Sequence, residues 1–341
     1  MESWEFRQRQ SLPYEAKLIH AEKTAQEFYN RVENCHISVG GLDSITLLLF
    51  LRAVGIDVPA ISVSVLEDKS IQSIHKKLGV QGLNPCKSKV EVIREFGFPV
   101  ISKQTAGKIE FLQNPSEDNQ TVRHAIITGD TGKQGGYRKG TRMKLPHKWL
   151  RLFAGKENPR YGTAYKEAPF KVSNKCCYYM KEKPCADYAR EHNSFPYLGL
   201  MASEGGQREM ALVKHGCNYY GKTITRSAPF AIFDRQDLLK LAIELEVPVP
   251  EIYGEIKQRP DGTLYTTKAQ RTGCSMCGFG VHLEKRPHRF DMLRDRNEKE
   301  WAFWMYDIGW GEVLTYLGIG WEKRVPISEQ IQMNFRSIGG I

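Results

Sequence analysis

The sequence predicts an α/β protein: a doubly wound parallel sheet with a helical, cysteine-bearing C-terminal part. Three observations carry this expectation. Strand-like and helix-like apolar segments alternate through the first hundred residues. One of those strands runs directly into Gly40-Gly41 and then into an apolar helix. The chain, at 341 residues, has the length of one large α/β domain, or of one domain with a sizeable appendage.

Taken in order, residues 1–13 are polar and read as loose chain. Tyr14 to Val32 reads as an amphipathic helix, with Ala16, Ile19, Ala21, Ala25, Phe28 and Tyr29 available to one face. Asn34 to Val39 reads as a short buried strand, followed by the glycine turn and a helix reaching Gly55. The run from Pro59 to Leu66 alternates like a second strand, and Ser70 to Leu78 continues as a helix. Ser88 to Phe96 reads as a third helix and Gly97 to Ile101 as a third strand. From about 104 to 170 the pattern weakens to loop, with short helices near 120–128 and 145–153. Pro196 to Leu200 reads as a strand, Arg235 to Leu245 as a helix, and His288 to Tyr316 as a helical, aromatic-rich tail.

The turn His36-Ile37-Ser38-Val39-Gly40-Gly41-Leu42-Asp43-Ser44 is the first candidate site. A glycine turn from strand to helix aims backbone N–H groups at one point, with the positive end of the helix dipole behind them. That geometry suits a phosphate or pyrophosphate. Asp43 can hold Mg²⁺ and Ser44 can donate to a phosphate oxygen. The competing reading is an ordinary strand–turn–helix with a capping Asp or Ser. In parallel sheets ligands bind beyond the carboxyl ends of strands, which is where this turn falls.

Composition narrows the function classes. Hydrophobic residues make up 41% and charged residues 26%, as in soluble globular chains. No apolar run approaches the roughly 20 residues of a bilayer span. The first thirty residues carry Glu2, Glu5, Glu15 and Glu22 and no apolar leader core, so a cytoplasmic protein is expected. The net charge is +10, and residues 131–175 alone hold twelve Lys or Arg against Glu157 and Glu167. Tyr137, Trp149, Phe153, Tyr161 and Tyr165 are interleaved there. Basic residues with aromatics between them suit a polyanion such as nucleic acid. The alternative is a solvated basic loop with a few core aromatics.

Eight cysteines in a reducing compartment point to metal or redox chemistry before disulfides. Cys176 and Cys177 are adjacent, and Cys274-Ser275-Met276-Cys277 is a C-x-x-C between glycines. Four thiolates in two pairs can hold a [4Fe–4S] cluster or a structural Zn²⁺. Adjacent cysteines fit a zinc knuckle poorly, which favours iron–sulfur. Cys217 is a fifth candidate ligand, should the neighbours not both reach one centre. Cys35, Cys86 and Cys185 read as structural thiols.

Together these residues resemble the phosphoadenosine phosphosulfate (PAPS) reductase family of the adenine nucleotide α-hydrolase superfamily, the N-type ATP pyrophosphatases. The likeness spans roughly 34–318 and rests on several motifs in one order. These are the loop Gly40-Gly41-Leu42-Asp43-Ser44, the double cysteine of 173–184, the segment 197–204 with Arg208, the stretches Arg226 to Phe230 and Gln236 to Leu238, and the closing Arg271 to Gly280. The double cysteine followed by C-x-x-C is similar to the [4Fe–4S] pattern of adenylyl-sulfate reductases. Val39 stands where ATP-pyrophosphatase loops carry a serine, with Ser38 one residue early, and Leu42 stands where many relatives have Lys. No cysteine follows Cys277, whereas sulfonucleotide reductases use a C-terminal one.

The resemblance implies a Rossmann-like fold. Residues 1–130 would form the nucleotide-binding half, 131–175 a basic insertion, and 176–341 the rest of the domain with the cysteines and aromatic tail. It implies an enzyme similar to those of DNA phosphorothioation and tRNA thiolation, which binds ATP–Mg²⁺, adenylates an acceptor and releases pyrophosphate. Ser38, Gly40, Gly41, Leu42, Asp43 and Ser44 would hold the nucleotide, and Asp43, Ser44 and Arg208 would serve catalysis. Lys103 or Lys175 would assist Arg208. A cluster on Cys176, Cys177, Cys274 and Cys277 would carry sulfur, and a donor such as a cysteine desulfurase would supply it. The alternatives are a sulfonucleotide reductase and a non-catalytic nucleotide- or nucleic-acid-binding protein.

Overall fold

A computed structural model describes residues 3–130, 143–155, 167–274 and 276–322. The chain forms two compact units, each from two stretches: residues 1–92 with 175–275, and residues 93–174 with 276–341. The sequence-based segments instead break at 130/131 and 175/176. Most of the basic residues expected in 131–175, and the aromatics Tyr137, Tyr161 and Tyr165, lie outside the described residues.

The first unit carries the expected α/β architecture. Its sheet has six strands: β1 (Cys35–Ser38), β2 (Ala60–Ser62), β3 (Gln81–Gly82), β4 (Phe195–Leu198), β5 (Asn218–Tyr220) and β6 (Thr225–Ser227). Their order is β3-β2-β1-β4-β6-β5. All neighbours run parallel except β5 and β6. The chain moves outward from β1 through β2 to β3, then returns to place β4 on the other side of β1. The carboxyl ends of β1 and β4 therefore flank the point where strand order reverses, where such sheets open a crevice.

Local sequence explains these elements. Cys35, His36 and Ile37 are buried, as a central strand covered on both faces requires. The helix α3 (Leu42–Ala53) buries Leu42, Ile45, Leu47, Leu48 and Leu51, so little of its circumference faces water. The preceding helices α1 (Ser3–Gln10) and α2 (Tyr14–Arg31) add Phe6, Ala21, Ala25 and Phe28 to the same core. The helix α4 (Lys69–Lys77) is capped by Asp68, whose carboxylate accepts the Ser70 N–H at 2.9 Å.

Three sequence expectations are corrected here. The stretch 1–13 is not all loose, because Ser3–Gln10 is helical and buries Phe6 completely. The strand expected over Pro59 to Leu66 stops at Ser62, and Ser64–Leu66 turns as a 3₁₀ helix. The third strand of the main sheet is β3, not Gly97 to Ile101. β3 has two exposed residues and no apolar alternation, so it offers no pattern to read.

The second unit has its own core around Phe98, Trp149, Phe153, Phe290 and Trp310. Val100–Ile101 pairs there in parallel with Gly278–Phe279. A Cβ on Gly278 would overlap the Trp310 ring and come within 2.7 Å of the Pro99 carbonyl, so this residue must be bare. The helices Gln120–Thr128, His147–Phe153, Arg289–Arg296 and Trp310–Tyr316 match expected ones, while Lys103–Gln113 falls in a stretch read as loop. Among the described residues, no helix is long and apolar enough to cross a membrane.

Candidate anion-binding site

The site grows from the end of β1. Val39 still belongs to the strand ladder, its N–H donating to the Ile61 carbonyl at 2.8 Å. Its side chain is buried in the core. Ser38 pairs within the sheet with Ile61 and Leu198 and stands one residue before the turn.

The turn is closed by Ser44. Its Oγ accepts the Gly40 N–H at 2.7 Å and donates to the Gly41 carbonyl at 3.0 Å. This is the capping geometry that competes with a phosphate-donating role for Ser44. His75 Nε2 lies 2.8 Å from the Gly40 carbonyl, and its Nδ1 lies 2.9 Å from Ser64 Oγ. A carbonyl only accepts, so Nε2 carries the proton and Nδ1 accepts from Ser64. Leu42 N–H donates to the Tyr253 hydroxyl at 3.1 Å, and that hydroxyl lies 2.7 Å from Thr272 Oγ1.

Two glycines fit the protein itself. A Cβ on Gly41 would overlap the Tyr253 hydroxyl and lie 3.0 Å from Thr272 Oγ1. A Cβ on Gly199, just beyond β4, would lie 3.0 Å from Ser44 Cα and 3.1 Å from its backbone nitrogen. Gly40 is different, since a Cβ there would meet nothing nearer than Glu67 Oε1 at 3.7 Å. Of the N–H groups at the start of α3, those of Gly41 and Asp43 have no partner among the described residues.

Charged side chains from distant stretches surround this helix start. Asp43 Oδ1 accepts from Arg235 Nη1 at 2.7 Å. Arg235 opens the helix α5 (Arg235–Glu244). Its N-cap Asp234 accepts the Gln236 and Asp237 N–H groups, and buried Lys17 holds Asp237 at 2.6 Å. The backbone carrying Arg235 is thus fixed, while its Nη2 is buried without a hydrogen-bond partner. Glu204 pairs with Arg208 and, at 3.4 Å, with Arg271. Burial pushes the Asp43 carboxyl above its usual range; Arg235 and Arg271 oppose this, and Glu204 adds to it. Three guanidinium groups thus stand against two carboxylates, a net positive charge of one.

A second cation stands near the turn. Lys181 Nζ lies 2.6 Å from the buried carboxylate of Glu67. Burial alone would lower the pKa of this lysine, but Cys274 and Glu67 beside it raise it further. Lys181 therefore stays charged.

The structure gathers Gly40, Gly41, Leu42, Asp43 and Ser44 into one turn, with Arg208 bound to the Glu204 that acts on Asp43. Among the described residues, no three His, Cys, Asp or Glu side chains are placed to hold a metal ion. Cys217 packs in the apolar core of the first unit, where burial pushes its thiol up to about 11. Cys176, Cys177 and Cys274 belong to the first unit and Cys277 to the second. Arg235 occupies one oxygen of Asp43, and Glu204 is held by two arginines.

Sequence reasoning missed Arg235, Tyr253, His75, Glu67 and Lys181. Asp234 and Asp237 mark a helix start at Arg235, but nothing local ties that residue to Asp43, 192 positions away.

No protein-family model matches the chain, and no curated protein matches it. Among solved structures it is similar to the phosphoadenylyl-sulfate (PAPS) reductase from Candida auris in a phosphate complex. The identity is 10% and the TM-score 0.37, over 71% of this chain and 89% of that one. A likeness this distant carries no functional argument, and the α/β fold stands on the strand order itself.

Proposed function

We propose that this chain is a nucleotide-binding enzyme of the ATP-pyrophosphatase kind, with the nucleotide's phosphates held at the turn Gly40–Ser44. One observation carries the reading. At the point where the parallel sheet reverses its order, the unpaired N–H groups of Gly41 and Asp43 stand beside a guanidinium with an unspent arm. Backbone donors at a helix start with a cation beside them suit phosphate oxygens.

In the proposed reaction an acceptor oxygen attacks the α-phosphorus of ATP. The bond to the bridging oxygen breaks, pyrophosphate leaves with those electrons, and the acceptor becomes adenylated. A sulfur nucleophile then forms a bond to the acceptor atom that bears this oxygen; the bond from that atom to the oxygen breaks, and AMP leaves carrying the oxygen and the electron pair. Arg208, Arg235 and Lys181 supply positive charge where the leaving pyrophosphate gathers negative charge. No step is assigned to the cysteines as a metal centre. The acceptor of this reading is a nucleic acid, because twelve of the chain's basic residues fall within 131–175.

Pyrophosphate released from ATP, with and without DNA or tRNA, tests the proposal. Release above the rate in buffer, stimulated by one of these acceptors, is expected. Sulfite released from adenylyl sulfate with reduced thioredoxin as the two-electron donor, and no ATP turnover, would transfer the site to a sulfonucleotide reductase. Tight ATP binding with no turnover of either compound would make it a binding protein.

A further inference from the structure

Resting on the nucleotide reading of this site, we infer that the Arg235 guanidinium takes the place of a divalent cation on Asp43, so that the turn binds nucleotide phosphates without metal. Mg²⁺ demands near-octahedral oxygen ligation and is held by carboxylates together with substrate phosphates. The two carboxylates at this helix start are both committed. Asp43 accepts from Arg235 at 2.7 Å, and Glu204 is held by Arg208 and Arg271. A metal on Asp43 would sit against a guanidinium already in contact with that oxygen.

Arg235 has what the substitute needs. A guanidinium is a planar fork, and a fork can serve two anions at once. Nη1 is spent on Asp43, whereas Nη2 is buried without a partner. A buried unpaired donor on a charged group is costly, and a phosphate oxygen would satisfy it. The capped first turn of α5 and the Lys17–Asp237 pair hold the arginine's backbone in place. The two carboxylates leave one positive charge uncompensated among the three arginines, which favours an anion and opposes a cation. Asp43 then positions Arg235 toward the ligand and does not ligate a metal.

Calorimetric titration with ATP tests this, in EDTA and in excess Mg²⁺, on the wild type, Arg235→Ala and Arg235→Lys. The wild type should bind ATP in EDTA within about threefold of its affinity in Mg²⁺. Arg235→Ala should lose at least about tenfold in EDTA, the weight of one charge-assisted hydrogen bond. Its binding should then become metal-dependent, because Asp43 is released to take a cation. Arg235→Lys keeps the charge without the fork and should recover part of the loss. Thermal melts of all three show that a folded protein is compared. Wild-type binding abolished by EDTA, or Arg235→Ala binding as well as wild type in EDTA, would overturn the inference and leave the nucleotide site standing. No ATP bound under either condition would overturn both.

Discussion

The two ends of strand β1 treat their polar groups in opposite ways. At the amino end His36 is almost fully buried, with Nδ1 2.7 Å from the Ser194 hydroxyl. The Tyr188 ring meets it edge-on at 5.3 Å, and His192 stacks on Tyr188 at 4.0 Å. His192 Nδ1 in turn donates to the Tyr188 carbonyl at 2.9 Å. Rings and hydrogen bonds satisfy one another there. At the carboxyl end three guanidiniums meet two carboxylates, and donors on Gly41, Asp43 and Arg235 are left over. Four residues of strand separate a place built for stability from one holding unspent binding capacity. Parallel sheets place function at the carboxyl side for this reason: helix starts and their free N–H groups gather there.

The largest expected effect breaks the amino end. Burial, with the nearby charge of His192, holds His36 down to about 4, against an unfolded value near 6.5. The unfolded chain therefore takes up this proton first. The stabilisation is complete above about pH 6.5 and is lost as pH falls toward 4, by on the order of 3 kcal/mol. Urea unfolding of the wild type and His36→Asn at pH 7, 5 and 4 measures it. The wild type should lose more stability than the variant across that interval. Parallel losses would show that His36 titrates freely in the fold.

The next effect tests how the carboxyl end is packed. Gly41→Ala would push a methyl group into the buried Tyr253 hydroxyl and should cost about 2 kcal/mol. Removing that hydroxyl makes room, so Gly41→Ala should cost less in a Tyr253→Phe background. A double-mutant cycle of thermal or urea stabilities reads the coupling. Additive costs would mean that Tyr253 does not press on the turn.

How far each end is legible in sequence follows from chain separation. The strand, Gly40-Gly41 and α3 lie within about twenty residues, and their alternation and glycines declare them. β3 is two exposed residues with no apolar signal, and only its neighbour β2 makes it a strand. The carboxyl end needs Arg235, Tyr253, Glu204 and Lys181, brought from more than a hundred residues away. No local spacing encodes that convergence. Cysteine spacing reads differently: pairs in sequence suggest a metal centre from spacing alone, whereas Cys217 lies among apolar side chains, a placement no spacing gives. Asp43 shows both limits. Its type and position suit a metal ligand, and only the fold reveals that an arginine holds it.

The smallest effect on stability is the sharpest test of the carboxyl end. Gly40 has an ordinary negative φ, and an added Cβ would find only ordinary contacts. Gly40→Ala should therefore fold as well as the wild type, or gain up to about 0.5 kcal/mol from a less flexible unfolded chain. A glycine that the protein's own packing does not require is free to serve an approaching ligand. If phosphate oxygens come down on this turn, the methyl group should weaken ATP binding by about tenfold while the melting temperature holds. Gly41→Ala confounds the two readouts, because Tyr253 already occupies the space above it. Affinity and melting temperature measured on one Gly40→Ala preparation separate them. An unchanged affinity would move the phosphates away from Gly40, toward the Asp43 N–H and the free arm of Arg235.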